Sequence, residues 1–262
     1  MVQSVVQQIT SRDNPLLVRL RKQSSDPGGY RRAQALWIEG PHLCEACVQA
    51  GWTPSLAVTS QAGWQDAALQ ALALRAPRVI VVPQPLMNAL SALESPAPLA
   101  FEVPWRGPGT IQPDAPSVVL DRLQDPGNVG NVLRSAAAFG FTQVIAVKGT
   151  VALWSSKVLR AAMGAHFGLH LVELGEVSDL DALSTPLWAT GSHAPQTLHE
   201  AVLTWPCSWV LGHEGQGVSA SLQRACAGTL RIEQPGGQES LNVAAAAAVC
   251  LYESARQRLS RR

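Results

Sequence analysis

Apolar residues recur along this chain in two rhythms, broken repeatedly by proline and glycine. Short apolar runs read as buried strands: Trp37-Ile-Glu-Gly40, Leu56-Ala-Val-Thr59 and Val79-Ile-Val-Val82, then runs near 117–120, 143–147, 169–172, 187–190, 208–211 and 229–232. Helical spacing fills the intervals. Leu16, Leu17 and Leu20 mark an amphipathic helix with basic residues between them. Leu43 to Ala50 predicts a helix ending at Gly51, with further helices at about 65–75 and 86–93. Alternating strands and helices predict an α/β protein with a doubly wound, parallel or mixed sheet. Residues 104–116 hold four prolines and two glycines, so no regular element fits there. The chain therefore divides into a domain at 1–105, a linker at 106–116 and a domain at 117–262.

Three polar, glycine-rich turns sit where a strand gives way to a helix. They are Asp125-Pro-Gly-Asn-Val-Gly-Asn131, Leu211-Gly-His-Glu-Gly-Gln-Gly-Val-Ser219 and Gln234-Pro-Gly-Gly-Gln-Glu-Ser-Leu-Asn-Val243. Turns of one kind at the carboxyl ends of a parallel sheet predict one composite site. The glycines also suit close crossing of backbones, and the run Ala244–Ala248 suits a closely packed helix. Ser240 stands at the expected N-cap of a helix running from Leu241 to Leu259, with Asn242 inside its first turn.

Charge adds a nucleic-acid expectation. The net charge is only +1, but Arg12, Arg19, Arg21, Lys22, Arg31 and Arg32 crowd the first 32 residues. Arg256, Arg258, Arg261 and Arg262 crowd the last seven. Two phosphate-facing patches are one reading and two solvated faces the other. No apolar run approaches the roughly 18 residues of a membrane span. The start of the chain lacks the pattern of a signal peptide, so a cytoplasmic protein is expected. Five scattered cysteines include Cys44-Glu-Ala-Cys47 without a second pair or histidines at ligand spacing. Buried, reduced thiols and no metal are expected.

The triplet of turns resembles the three motifs of the SpoU/TrmH branch of the SPOUT RNA methyltransferases. The first is Asn128-x-Gly130-x-x-x-Arg134-x-Ala136 followed by Phe139-Gly140; the second is Gly212-x-Glu214-Gly215-x-Gly217; the third is Glu239-Ser240-Leu241-Asn242-Val243. The resemblance covers about Ser117 to Leu259. It extends to Ile9-Thr-Ser-Arg-Asp-Asn-Pro15 and Ile38-Glu-Gly-Pro41, which look like the substrate-binding domain carried by many members. The resemblance implies a C-terminal parallel-sheet SPOUT domain with a deep trefoil knot and an L30e-like N-terminal domain that binds RNA. It also implies a homodimer, S-adenosylmethionine as cofactor, and 2′-O-ribose methylation of RNA. Ribosomal RNA is favoured by the attached N-terminal domain, with transfer RNA as the alternative substrate.

By the same resemblance, Leu211, Gly212, Gly217, Ile232, Leu241 and Asn242 line the cofactor pocket, and Asn128, Arg134, Glu214, Ser240 and Asn242 serve catalysis. Arg134 keeps its charge at all ordinary pH, so it suits a cation that binds the target phosphate or stabilises a developing alkoxide. Asn128 would then position Arg134 or the substrate. Departures from the pattern are His213 where Asn is frequent, Ala162 where Ser is frequent, and Gln234-Pro235 where a Pro-Met pair is common. A non-catalytic RNA-binding or assembly protein on the same fold is a second reading, opposed by the retained polar residues. A dinucleotide-binding enzyme would need G-x-G-x-x-G at the first turn, and the spacing there differs.

Overall fold

The computed structural model describes residues 4–91, 95–237 and 240–261. Glu239 of the third motif, Arg262 of the C-terminal basic run and the end of the helix expected at 86–93 lie outside them. Contacts divide the chain into two compact units: Met1–Gly107 with Trp154–Phe167, and Pro108–Leu153 with Gly168–Arg262.

The first unit holds a mixed sheet of five strands: β1 (Val5–Gln8), β2 (Ala35–Glu39), β3 (Leu56–Ser60), β4 (Arg78–Val82) and β5 (Leu99–Pro104), in the order β1-β4-β3-β5-β2. β1, β4 and β3 run parallel, and β5 runs antiparallel to both β3 and β2. Around it lie α1 (Pro15–Ser25), α2 (Gly29–Ala33), α3 (Pro41–Gln49), α4 (Gln61–Gln65), α5 (Ala67–Ala73) and α6 (Gln84–Leu90). α1 starts where the Asn14 side chain accepts from Leu16 N–H and Pro15 takes a position needing no donor. Its Leu17 and Leu20 join Trp37, Ile80, Leu86 and Met87 in the core.

Two strands escaped the sequence reading. β1 is an edge strand with all four residues exposed, so it shows no apolar alternation. β5 runs straight into the proline-rich stretch and was absorbed by it. Trp154–Phe167, placed by the sequence reading in the second domain, clusters with the first unit. There Trp154 and Phe167 meet Trp52 at ring distances of 5.5 and 5.7 Å.

The second unit holds a seven-stranded, wholly parallel sheet. Its strands are β6 (Ser117–Leu120), β7 (Gln143–Ala146), β8 (His170–Glu173), β9 (Leu187–Thr190), β10 (Gln196–Thr197), β11 (Ser208–Leu211) and β12 (Gly228–Arg231). They lie in the order β10-β12-β9-β11-β6-β7-β8. Six match the expected runs to within a residue at each end; the two-residue β10 was not foreseen. The helices are α7 (Pro126–Ala138), α9 (Ala220–Ala225) and α10 (Val243–Ser260), while α8 (Ser156–Ala162) belongs to the first unit. β6 and β11 are buried along their whole length, as central parallel strands require. α10 packs on α7 and β11, where the indole N–H of fully buried Trp209 donates to Ser254 Oγ at 3.0 Å.

Close backbone crossing is confined to one of the expected glycines. A Cβ on Gly212 would stand 2.2 Å from Gly217 C and Val218 N, so only glycine fits there. Gly217, Gly236 and Gly237 have open space around them.

Candidate active site

The three glycine-rich turns leave the carboxyl ends of β6, β11 and β12, and their side chains meet. Asp125 caps α7 by accepting from Asn128 N–H at 2.7 Å, with Pro126 next to it at the first helical position. That cap sets Asn128 at the helix start. Its Nδ2 donates to Glu214 Oε1 at 3.1 Å, and its Oδ1 accepts from Asn242 Nδ2 at 3.0 Å. Asn242 is itself the N-cap of α10, its Oδ1 accepting from Ala244 and Ala245 N–H at 2.9 and 3.3 Å. The cap is thus not Ser240, and Asn242 precedes the helix rather than lying in its first turn. The correction has a physical consequence. Amide groups capping a helix must point oxygen inward, so Asn242 offers its N–H₂ to Asn128, which must then offer its own N–H₂ to the Glu214 carboxylate. Every amide orientation in the chain is fixed by its neighbours.

Beside this chain lies a cavity of about 470 Å³, within the range of small-molecule sites. Gly212, Gly217, Ile232, Leu241 and Asn242, which the resemblance assigns to the cofactor pocket, line it together with Ser240, Glu214 and His213. Leu211 does not; it ends β11 fully buried behind the wall. Sequence reasoning missed Thr190, which ends β9, and Gly191 and Ser192, which follow it; all three also line the cavity. The one available signal was a short Thr-Gly-Ser turn after a strand. Gln234 lines it as well, and its buried Oε1 has no hydrogen-bond partner among the described residues. Aliphatic walls from Leu230, Ile232, Leu241 and Ala246 suit the faces of a purine, and exposed glycine backbone suits its polar edges. An adenosyl cofactor fits this donor and acceptor set, and the unsatisfied Gln234 oxygen supplies an acceptor for it.

His213 turns inward. Its Nδ1 accepts from Gly215 N–H at 3.0 Å, and its backbone bridges Gly217. The ring proton is therefore left to Nε2, and the side chain shapes the turn. Arg134 stands apart: it is exposed on α7, and its side chain makes no hydrogen bond or ion pair, with Asn128 or any other, among the described residues. On the same helix Val132, Leu133 and Ala136 are buried, and Ala137 and Ala138 are exposed.

The basic patches are more occupied than composition suggests. Arg19 forms a two-pronged ion pair with Glu102, and Arg32 pairs with Asp26. Arg21 donates to the Arg12 carbonyl, and Arg31 lies over the Tyr30 ring at 4.9 Å. The side chains of Arg12 and Lys22 have no hydrogen bond or salt bridge among the described residues. At the other end, Arg256 pairs with Glu253, Arg258 stacks on Trp205 at 4.5 Å, and Arg261 donates to the Leu203 carbonyl.

No helix among the described residues is long and apolar enough to cross a membrane, and no group of three or more His, Cys, Asp or Glu side chains gathers as a metal site. Cys44, Cys47, Cys207 and Cys250 are buried and Cys226 half-buried; burial pushes the Cys47 thiol up to about 12 and those of Cys207 and Cys226 to about 11.

Comparison with known proteins bears on the same elements. The model of the SpoU rRNA Methylase family matches residues 115–252, from just before β6 into α10. An uncharacterized tRNA/rRNA methyltransferase of Synechocystis is 33% identical over 97% of this chain and 95% of its own. The 23S rRNA (guanosine-2′-O-)-methyltransferase RlmB of Xanthomonas campestris is 36% identical over 54% of this chain, a match spanning 59% of that protein. Among solved structures, an RNA 2′-O ribose methyltransferase shares 32% identity and a TM-score of 0.80, over 97% of this chain and all of that one. With the family match spanning the parallel sheet, all three turns and the first part of the helix that Asn242 caps, the chain belongs to the SpoU rRNA methylase family.

Proposed function

We propose that this protein transfers the methyl group of S-adenosylmethionine to a ribose 2′-hydroxyl of RNA, with ribosomal RNA as substrate. The observation that carries the reading is the hydrogen-bonded chain Glu214–Asn128–Asn242, which ties all three glycine-rich turns together at the edge of a nucleoside-sized cavity. Transfer RNA is the alternative substrate, and the Synechocystis relative is described as a methyltransferase of either RNA.

Gly212, Gly217, Ile232, Leu241 and Asn242 hold the cofactor, which when bound supplies an activated methyl and its own leaving group. Everything else falls to the chain's own residues. Asn128 and Asn242, locked by Glu214 and by the α10 amides, present fixed polar groups at the cavity rim and cost no reorganisation during reaction. Arg134, unpaired among the described residues, neutralises the target phosphate or the alkoxide that forms as the ribose hydroxyl loses its proton. Ser240, exposed beside Asn242, offers a hydroxyl to the substrate rather than a helix cap. Arg12 and Lys22 supply phosphate contacts in the N-terminal unit, read as L30e-like, whereas Arg19 and Arg32 serve its folding. The protein works in the cytoplasm, without metal, as a homodimer. The exposed Val249, Tyr252 and Leu259 on α10 support the dimer because they leave an apolar stripe uncovered. The knot belongs to the fold expected of this family.

Calorimetry with S-adenosylmethionine in the presence of a chelator tests the cofactor site. Binding at micromolar to millimolar concentration is expected, and no binding at millimolar cofactor would sink the reading.

A further inference from the structure

The turn that carries Glu214 is gripped from outside the cavity. Asp121 follows β6 and is only 1% exposed. Its carboxylate accepts from Ser219 N–H at 2.6 Å and from Arg122 Nε at 2.9 Å. Arg122 in turn donates from Nη1 to Gln216 Oε1 at 2.9 Å. Two consecutive residues after β6 thus hold both the end and the tip of the turn after β11. Neither Asp121, Arg122 nor Gln216 lines the cavity.

The backbone of Arg122 is unusual. Its φ is +60°, one of three positive values at non-glycine positions among the described residues. Glycine takes this conformation freely and a side chain disfavours it. Local bonds hold it there: Arg122 N–H donates to Thr150 Oγ1 at 3.1 Å, and that hydroxyl donates to the Leu120 carbonyl at 2.9 Å. The arginine stem passes Gly149, where a Cβ would stand 3.1 Å from Arg122 Cγ. A strained residue kept by this many bonds points to work done by its side chain, and that side chain reaches the tip of the turn whose other residues wall the cavity.

We infer that Arg122 is a positioning residue: anchored on Asp121, it fixes the His213–Gly217 turn through Gln216, so that the cofactor wall is preformed and Glu214 stays on Asn128. This rests on the cofactor reading given above. Replacing Arg122 by glycine removes the side-chain contacts but relaxes the backbone. Gln216→Ala separates positioning from a plain structural role, because it removes the contact with the turn and leaves the Arg122–Asp121 pair in place.

The test measures S-adenosylhomocysteine binding by calorimetry, melting temperature, and the KM and kcat for S-adenosylmethionine in Arg122→Gly, Arg122→Lys and Gln216→Ala. The expected result is that Arg122→Gly weakens S-adenosylhomocysteine on the order of tenfold, while its melting temperature sums relief of the positive φ and loss of the partner of buried Asp121. Its KM for the cofactor should rise more than kcat falls. Gln216→Ala should weaken binding similarly, the double variant should be no worse than either single one, and Arg122→Lys should recover part of the loss. Unchanged binding in Arg122→Gly overturns the inference, with or without a lower melting temperature. So does a binding loss that Gln216→Ala fails to reproduce. If the unaltered protein does not bind S-adenosylhomocysteine, the cofactor reading fails and takes the inference with it; if it binds and only the variants are silent, the inference fails alone.

Discussion

At the scale of single residues, the site separates groups that are locked from one that is free. Asn128, Glu214 and Asn242 spend their hydrogen-bonding capacity on one another, whereas Arg134 is exposed and unpaired among the described residues. A cation without an internal partner is available to an anionic substrate, and its loss should leave the fold intact. Arg134→Ala should therefore slow single-turnover methyl transfer by on the order of a hundredfold or more, with melting temperature and cofactor affinity unchanged. Arg134→Lys keeps charge but not the planar fork and should recover only part of the rate. Normal turnover by the alanine variant would remove Arg134 from the mechanism. The importance of Asn128, Glu214 and Asn242 was legible in the motifs, but their mutual bonding was not. Nothing in spacing alone says that residues separated by 86 and 114 positions will share one polar chain.

At the scale of elements, helix capping and active-site chemistry use the same side chains. Asp125 starts α7 and thereby aims Asn128; Asn242 starts α10 and thereby aims its own amide at Asn128. The two roles of Asn242 can be split. Aspartate caps a helix as well as asparagine and its charge suits the helix N-terminus, but it cannot donate to Asn128. Asn242→Asp should thus keep the melting temperature while methyl transfer falls about tenfold or more. A fall in melting temperature with normal transfer would assign Asn242 to the helix alone. β6, β7 and β11 were readable because central parallel strands are buried on both faces and appear as largely apolar runs. The cap was not: Ser240 and Asn242 are both good capping residues two positions apart, and the sequence offers no means of choosing between them. β1 was invisible for the converse reason, since an exposed edge strand has no buried face to impose a pattern.

At the scale of the whole molecule, chain order and spatial unit differ. The proline-rich stretch does separate two sheets, yet Trp154–Phe167 returns from the middle of the later sequence to the first unit. In the full chain Trp154 and Phe167 are 8% and 9% exposed. A fragment beginning at Pro108 would strip Trp52 and its neighbours from both rings and bare a large apolar surface. Such a fragment should aggregate, or bind a hydrophobic dye far more strongly than the full chain; a monodisperse, dye-silent fragment would contradict the assignment of that segment. Sequence reasoning could not see this return, because a short helix of ordinary composition carries no mark of which sheet it covers.

The central claim is that the three joined turns carry ribose methylation of RNA. The most direct measurement is a map of 2′-O-methylation across ribosomal and transfer RNA in cells with and without the gene, repeated with Arg134→Ala. Methylation should be lost at one or a few defined ribosomal RNA riboses in both the deletion and the variant. An unchanged ribose map, or a methyl group lost from a base instead, would contradict the claim.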